Sequence, residues 1–352
     1  GPAPPVQGWG TRDTAHPYHG VRTTCTRRPQ HPGTGGIRMS EDHLSQYAGR
    51  TVLVTGGAGA IGSNLTRALA GVCERVIVLD NLVSSERWNV PSLPNVMFVE
   101  GDILDEVKLK RCFFEKPSIV FHLAAFFANQ NSVDHPENDL MVNGMGTLKL
   151  MEYGTLQGLD RFVYASSGCS IYGSAAPLPL KEEFMSMHLT TPYQITKMLG
   201  ELYANFFWHH YDLPVVKARF FNSFGPGEVP GQYRNVIPNF IYWAMKGKPL
   251  PITGDGSETR DFTYVHDIVD GLLRAGVKEE AIGQEFNLAS GRETQIRDLA
   301  MAINKATGNE AGIKLTTHLG SLTRYAAHGE EWSEEEVMLG DMDALQWVFY
   351  YG

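Results

Sequence analysis

Tyr193 and Lys197 stand four residues apart in "YQITK", at the start of a stretch, 193–211, whose apolar spacing predicts a helix. Residues at i and i+4 share one helix face, so the phenol and the ammonium point the same way. A free tyrosine ionises near ~10 and holds little phenolate at pH 7. A neighbouring cation favours the anion. Lowering that pKa by about 3 units needs about 4 kcal/mol of differential stabilisation, within reach of a partly dry site holding two positive charges. The phenolate could then take a proton from a substrate hydroxyl. Upstream, the apolar run "RFVYA" (161–165) ends in a burst of hydroxyls, Ser166, Ser167 and Ser170, in "ASSGCSIYG".

A second constellation lies in "TVLVTGGAGAIGSNLTRAL" (51–69), a strand, then Gly56-x-x-Gly59-x-x-Gly62, then a helix opening at Ala60 and Ile61. Glycines there allow a tight turn and a close approach to a pyrophosphate, and the helix N-terminus offers free N–H groups and a partial positive charge. The next strand, "RVIVLD", ends in Asp80, 18 residues beyond Gly62, and Asn81 follows it. A carboxylate at that place hydrogen-bonds a ribose 2′-hydroxyl and would repel a 2′-phosphate, which favours NAD over NADP. Asp102 and Ile103 follow a third strand and could frame an adenine ring, although a turn aspartate would fit equally. In "VFHLAA", Leu123, Ala124 and Ala125 would let a cofactor pass close to the backbone, or would serve tight packing. His122 reads as a core histidine rather than a catalyst.

These groups need a scaffold. Apolar runs at 51–55, 75–80, 96–99, 118–123, 161–166 and 214–220 predict strands, and 60–71, 140–157 and 193–211 predict helices between them. Strands alternating with helices predict a parallel sheet covered on both faces. The chain of 352 residues carries a net charge of −9, which offers no electrostatic reason to bind nucleic acid or an anionic membrane. No apolar run approaches the roughly 18–20 residues of a membrane span. Four scattered cysteines, without a C-x-x-C pair, suit a reducing, cytoplasmic setting and leave no metal site to expect. Residues 1–38 hold five arginines against one acid, Asp13, and no periodic apolar face. They are expected to be a disordered tail or upstream extension, with Met39 reading as a natural start, although an acid-poor tail also fits an organelle transit peptide.

With the glycine turn, Asp80, "HLAA", the serine cluster and "YQITK" together, the chain resembles the extended short-chain dehydrogenase/reductase family, and within it the NAD-dependent nucleotide-sugar epimerases and dehydratases. "ARFFNSFGPG" (218–227), "NVIPNF" (235–240), "GSETRDF" (256–262) and "FNLASG" (286–291) extend the resemblance over about 50–300. It implies that Lys197 also holds the nicotinamide ribose and that a Ser or Thr at the strand end bonds the reacting hydroxyl. Counting back from Tyr172 places that residue at Gly168, whereas counting from the strand start gives Ser167. The cluster is thus one residue longer than usual, and a bulge at Gly168-Cys169 is expected to absorb the insertion. Ser166 and Ser170 are the fallbacks. Asn222 and Val236 match positions that hold sugar and diphosphate, Arg260 matches the arginine that pairs with diphosphate, and Asn143 would brace the central helix near the nicotinamide. Beyond about 315 the chain departs from the family pattern; Arg324 could substitute for an expected arginine.

The resulting expectation is an α/β fold, a Rossmann-like doubly wound parallel sheet at 46–220 with a smaller C-terminal α/β substrate domain at 221–352, of which about 258–275 returns to the first. Dehydrating and decarboxylating relatives commonly carry an acid where this chain has Ser170. The resemblance therefore implies a UDP-glucose- or UDP-glucuronate-type 4-epimerase working through a transient 4-keto sugar, with Glu182 and Glu183 near enough in sequence to leave a 4,6-dehydratase or a UDP-glucuronate decarboxylase open. A non-catalytic NAD-binding protein is the remaining alternative. A nucleotide-diphosphate sugar is the expected partner, and the helices 140–157 and 193–211 are expected to pair in a homodimer.

Overall fold

Valine and isoleucine dominate the central strands because both faces of their sheet are covered, and a strand buried on both faces reads as an unbroken apolar run. β1 (Thr51–Thr55), β2 (Arg75–Asp80), β3 (Val96–Glu100), β4 (Ile119–His122), β5 (Arg161–Ser167) and β6 (Val215–Phe220) fall on the six predicted runs. Short strands β7 (Asn222–Phe224), β8 (Leu250–Thr253), β9 (Thr259–Arg260) and β10 (Phe262–Tyr264) follow, then β11 (Glu285–Leu288), β12 (Thr294–Gln295) and β13 (Ile313–Thr316). This computed structural model describes residues 41–316, apart from Ser174 and Gln232. The expected tail 1–38 and the segment containing Arg324 lie outside the described residues.

Seven strands form one parallel sheet in the order β11-β6-β5-β4-β1-β2-β3. The fold is α/β and Rossmann-like, with smaller sheets in the C-terminal part. Strand β11 was not among the predicted runs. Its Glu-Phe-Asn-Leu sequence has little apolar continuity, as an edge strand allows. Successive side chains alternate between two cores. Val52, Val54, Val76 and Val78 pack with Leu65, Leu69 and Leu272, while Leu53, Ile77 and Leu79 pack with Leu109, Leu150 and Ala204. A third core, including Phe240, Trp243, Leu250, Leu299 and Ile303, belongs to the C-terminal part.

The predicted helix 140–157 is α-helical only over Thr147–Gln157; Leu140–Gly146 forms wider π turns. The helix Pro192–Tyr211 starts at a capping box. The Thr191 side chain accepts from the Gln194 N–H, Gln194 Oε1 accepts from the Thr191 N–H, and Pro192 occupies the first turn. Its approach to β5 depends on Gly200, where a Cβ would lie 2.1 Å from the Tyr164 hydroxyl. Gly200→Ala is therefore expected to lower stability by about 1–3 kcal/mol through overpacking. Urea unfolding measures this, and a variant as stable as the parent would refute the contact's importance.

Candidate active site

The carboxyl ends of the parallel strands, where the order reverses between β1 and β4, are the place where open α/β sheets bind ligands. A cavity of about 400 Å³ opens there. Gly56, Gly59, Ala60, Ile61 and Gly62 line it from the β1 turn, and Asp80, Asn81, Asp102 and Ile103 from the ends of β2 and β3. Leu123, Ala124 and Ala125 follow β4, and Ser167, Tyr193, Lys197 and Asn222 also line the cavity.

The β1 turn is as tight as its glycines suggest. Gly56 has φ +70°, and a Cβ on it would lie 2.6 Å from the Ala124 nitrogen; a Cβ on Gly62 would lie 2.1 Å from the Gly56 carbonyl oxygen. The helix Ala60–Ala70 has no side-chain cap at Gly59, so the N–H groups of Ala60, Ile61 and Gly62 are left for an anion. Asp80 is buried and accepts from the Ala58 N–H, the Leu82 N–H and the Ser85 hydroxyl at 2.8–2.9 Å. A carboxylate has about four acceptor positions, so one remains for a ribose hydroxyl. Asp102 accepts from Asn81 Nδ2 at 2.8 Å. These residues fit a dinucleotide: glycine clearance for a pyrophosphate, open amides at a helix start, and an acid for the ribose.

At the other side of the cavity, β5 delivers Ser167. The chain then turns into one helical turn, Gly168–Ile171, instead of the expected bulge. Gly168 is needed for space rather than for an unusual φ: a Cβ there would lie 2.2 Å from the Phe221 ring. The helical turn is what absorbs the extra residue. Ser167 donates to Ser170 Oγ at 3.0 Å, and its hydroxyl is near enough to the Tyr193 phenol to favour the phenolate. Ser166 donates backwards to the buried Glu201 at 2.5 Å, which removes it from the reacting position. Cys169 faces the cavity.

Tyr193 is 7% exposed and Lys197 5%. Lys197 Nζ lies 5.7 Å from the Tyr193 ring centroid and donates to the Ala165 carbonyl at 2.9 Å. Burial pulls the ammonium down to about 8, against the opposing field of Asp139. Burial also raises the Tyr193 phenol above its ordinary value, with Cys169 and Asp139 adding to the rise and the Ser167 hydrogen bond opposing it. The expected lowering of the phenol is thus not a property of the protein alone, because desolvation outweighs its internal stabilisers. His122 is a satisfied core histidine, held between Thr55 and Thr147 at 2.8 Å each and depressed to about 3 by burial.

Three predicted residues do not line the cavity. Asn143 is buried one layer behind it, where its amide spans the Phe126 backbone and Asp139. Val236 is the first residue of the helix Val236–Met245 and packs against the C-terminal core. Arg260 is exposed and donates to the Thr259 carbonyl, although its charge reaches Cys169. Glu182 is turned to the Asn287 N–H and is likewise absent from the lining. The sequence reading missed Phe127, Glu228, Tyr233, Arg234 and Asn235, all of which line the cavity. The "NVIPNF" segment carried the signal one residue off. As N-cap, Asn235 makes no capping bond and gives its amide to Glu228 Oε1 at 2.6 Å.

With this geometry in place, the comparisons are decisive at one level. Residues 52–289 match the model of the NAD dependent epimerase/dehydratase family. The chain belongs to that family. It is an enzyme family of nucleotide-sugar chemistry, and its cofactor is NAD. A UDP-glucose 4-epimerase of Mycolicibacterium smegmatis is 38% identical over 259 residues, 73% of this chain and 82% of that protein. The structure of the epimerase Mth375 from Methanothermobacter thermautotrophicus is 52% identical with a TM-score of 0.79, covering 90% of this chain and 97% of that one. The UDP-glucose 4-epimerase of Thermotoga maritima, solved with UDP-glucose, is 30% identical with a TM-score of 0.73, covering 85% and 99%.

Glu228 gives this family member a pH signature. Burial raises its carboxyl from the ordinary 4.5 to about 7, with Asn235 and Arg234 opposing the rise. Between those values the folded protein holds more protons than the unfolded chain, so stability falls as pH rises through the window. Without nucleotide, the parent's melting temperature is expected to drop more from pH 5 to pH 8 than that of Glu228→Gln. Equal slopes would show that Glu228 ionises normally.

Proposed function

We propose that this protein is an NAD-dependent nucleotide-sugar 4-epimerase acting on a UDP-glucose- or UDP-glucuronate-type substrate through a transient 4-keto sugar. The observation that carries the reading is the grouping of Ser167, Tyr193 and Lys197 at one cavity wall, with Ser170 where dehydrating and decarboxylating relatives commonly carry an acid; Glu228, which also lines the cavity, is taken up by the Asn235 amide. Dehydration or decarboxylation calls for further acid–base assistance after the first oxidation, whereas inversion at C4 needs only that the oxidation be reversed. Of the two acids nearby in sequence, Glu182 accepts from the Asn287 N–H, and neither it nor Glu183 lines the cavity. The named relatives, two of them UDP-glucose 4-epimerases, lean the same way.

In this mechanism Tyr193 takes the proton of the C4 hydroxyl, and the Ser167 hydroxyl bonds the same oxygen. The Lys197 ammonium stabilises the phenolate and would hold the nicotinamide ribose. NAD supplies a reversible two-electron acceptor and a formal positive charge. The 4-keto sugar then presents its opposite face, and Tyr193 returns the proton to the C4 oxygen. Nothing leaves the substrate, so product and substrate have one mass. Incubation with UDP-, dTDP- and GDP-sugars, read by NMR and mass spectrometry, is expected to show inversion at C4; loss of water or carbon dioxide would sink the reading. Tyr193→Phe is expected to abolish turnover and keep NAD. Ser167→Ala should slow turnover by about 10²-fold or more, and an unchanged rate would remove Ser167 from the mechanism.

The same reading includes a homodimer and a cytoplasmic setting. Ile195, Leu202 and Phe206 are exposed on one face of the helix Pro192–Tyr211, and Leu140, Met141 and Met145 are exposed on the adjoining helical turns. Among the described residues, the cysteines Cys73, Cys112 and Cys169 are free, and no helix is long and apolar enough to cross a membrane. Sedimentation should give a dimer for the parent and a monomer for Leu202→Glu; a monomeric parent would refute the pairing.

A further inference from the structure

Two asparagine side chains make the same unusual connection. Asn64, on the helix that follows the glycine turn, donates one N–H to the Ala60 carbonyl and the other to the Pro226 carbonyl, both at 2.8 Å. Asn89, beyond β2, donates one N–H to the Ala58 carbonyl and the other to the Gly227 carbonyl, both at 3.0 Å. Each amide therefore spends one donor on the phosphate turn and one on the turn that follows β7. Both are buried, so each bond would leave a stranded donor if it opened. Arg67 holds Asn89 in place through its carbonyl at 2.9 Å.

The turn they hold is built for contact. Gly225 and Gly227 have φ of +150° and +86°. A Cβ on Gly227 would lie 3.1 Å from Ser63 Oγ and 3.6 Å from the Ala60 Cα, so this backbone rests directly on the start of the phosphate helix. The next residue, Glu228, continues along the cavity wall. Further on, Arg234 reaches back to the Ser84 carbonyl, in the loop that carries Asn81 and Ser85 beside Asp80. Side chains and backbone from the substrate side are thus bonded to the cofactor side at two places: the phosphate turn and the ribose loop.

We propose that Asn64, Asn89 and Arg234 are cofactor-retaining residues: they fasten the turn after β7 to the phosphate turn, and the Arg234 region to the ribose loop, so that bound NAD leaves faster when these bonds are lost. The inference depends on NAD binding and not on which sugar is turned over. It gives the fold a means of keeping one NAD molecule through many cycles, which a reaction that restores its cofactor requires.

The test reads NAD release. Protein loaded with radiolabelled NAD is mixed with excess unlabelled NAD, and retained label is followed by filtration. Arg234→Ala and Asn64→Ala are expected to raise the release rate about tenfold, the scale of one lost buried or charged hydrogen bond. Asn89→Asp, which turns two donors into acceptors facing carbonyls, is expected to raise it at least as much. Arg234→Lys should recover part of the retention. Melting temperatures without NAD check folding, and if Asn89→Asp does not fold, the two alanine variants decide. Folded Arg234→Ala and Asn64→Ala proteins that release NAD at the parent's rate would overturn the proposal, whatever the sugar assays give.

Discussion

Desolvation of a phenol and an ammonium on one helix face is the constraint from which the rest follows. The protein pushes each toward its neutral form, Tyr193 upward and Lys197 down to about 8, because each ion alone is costly in a dry pocket. An anion beside a cation is less costly there than either ion by itself. The protein alone therefore resists ionisation of the phenol, so proton abstraction by it would depend on further positive charge in the cavity. Asp139 acts on both groups at once. Buried among Thr196 and Asn143, it supports the Lys197 cation and opposes a Tyr193 anion.

Keeping two such groups dry and correctly placed requires a rigid back wall, and the sheet supplies one. Lys197 is anchored on the Ala165 carbonyl of β5, and Gly200 lets the helix sit against Tyr164. Beneath them Glu201 takes hydrogen bonds from Ser166 and from two nitrogens of Arg219, and Arg219 continues to the Tyr172 hydroxyl and the Glu182 carbonyl. A buried ion pair is a poor source of net stability, since two charges must leave water. Here both Glu201 oxygens and all three Arg219 nitrogens are hydrogen-bonded. The network joins the helix, β5, β6 and the Tyr172 region, so it fixes where the serine cluster ends and which hydroxyls remain for chemistry.

How legible this was in the sequence depended on the range of the interaction. Strands β1–β6 could be read because burial on both faces leaves a continuous apolar signature, and the glycine turn because its spacing is local. The helix Pro192–Tyr211 carries its own start signal in Thr191, Pro192 and Gln194. Edge strand β11 carries no such signature. Gly168 looked like a conformational need and is a steric one, since its partner Phe221 is distant in sequence. Val236 and Asn235 differ by one residue, yet the N-cap faces the cavity while the first helical residue faces the core. Such a distinction rests on where a helix begins, which sequence patterns locate least sharply. The balance at Tyr193 is legible only in part for the same reason: charge partners are visible in a motif, whereas burial, which raises the phenol, is a property of the whole fold.

The loop after β4 joins these themes. Ala128 lines the cavity with φ +86°, a conformation that a residue with a Cβ adopts at a cost of about 1–3 kcal/mol. The strain is held by bonds around it. Asn131 Nδ2 donates to the Phe127 carbonyl, Thr191 Oγ1 donates to Asn129 Oδ1, and the Tyr193 N–H donates to the buried Ser132 hydroxyl. The Phe127 ring meets Tyr193 edge-on at 6.2 Å. The wall that would select a sugar and the helix that would deprotonate it are therefore one mechanical unit. Relief of the strain at Ala128 would act on the neighbouring Phe127 and, through the edge-on ring contact, on Tyr193. Under the proposed mechanism, sugar choice and proton transfer would share this wall, so enlarging the pocket here would act on the phenol as well.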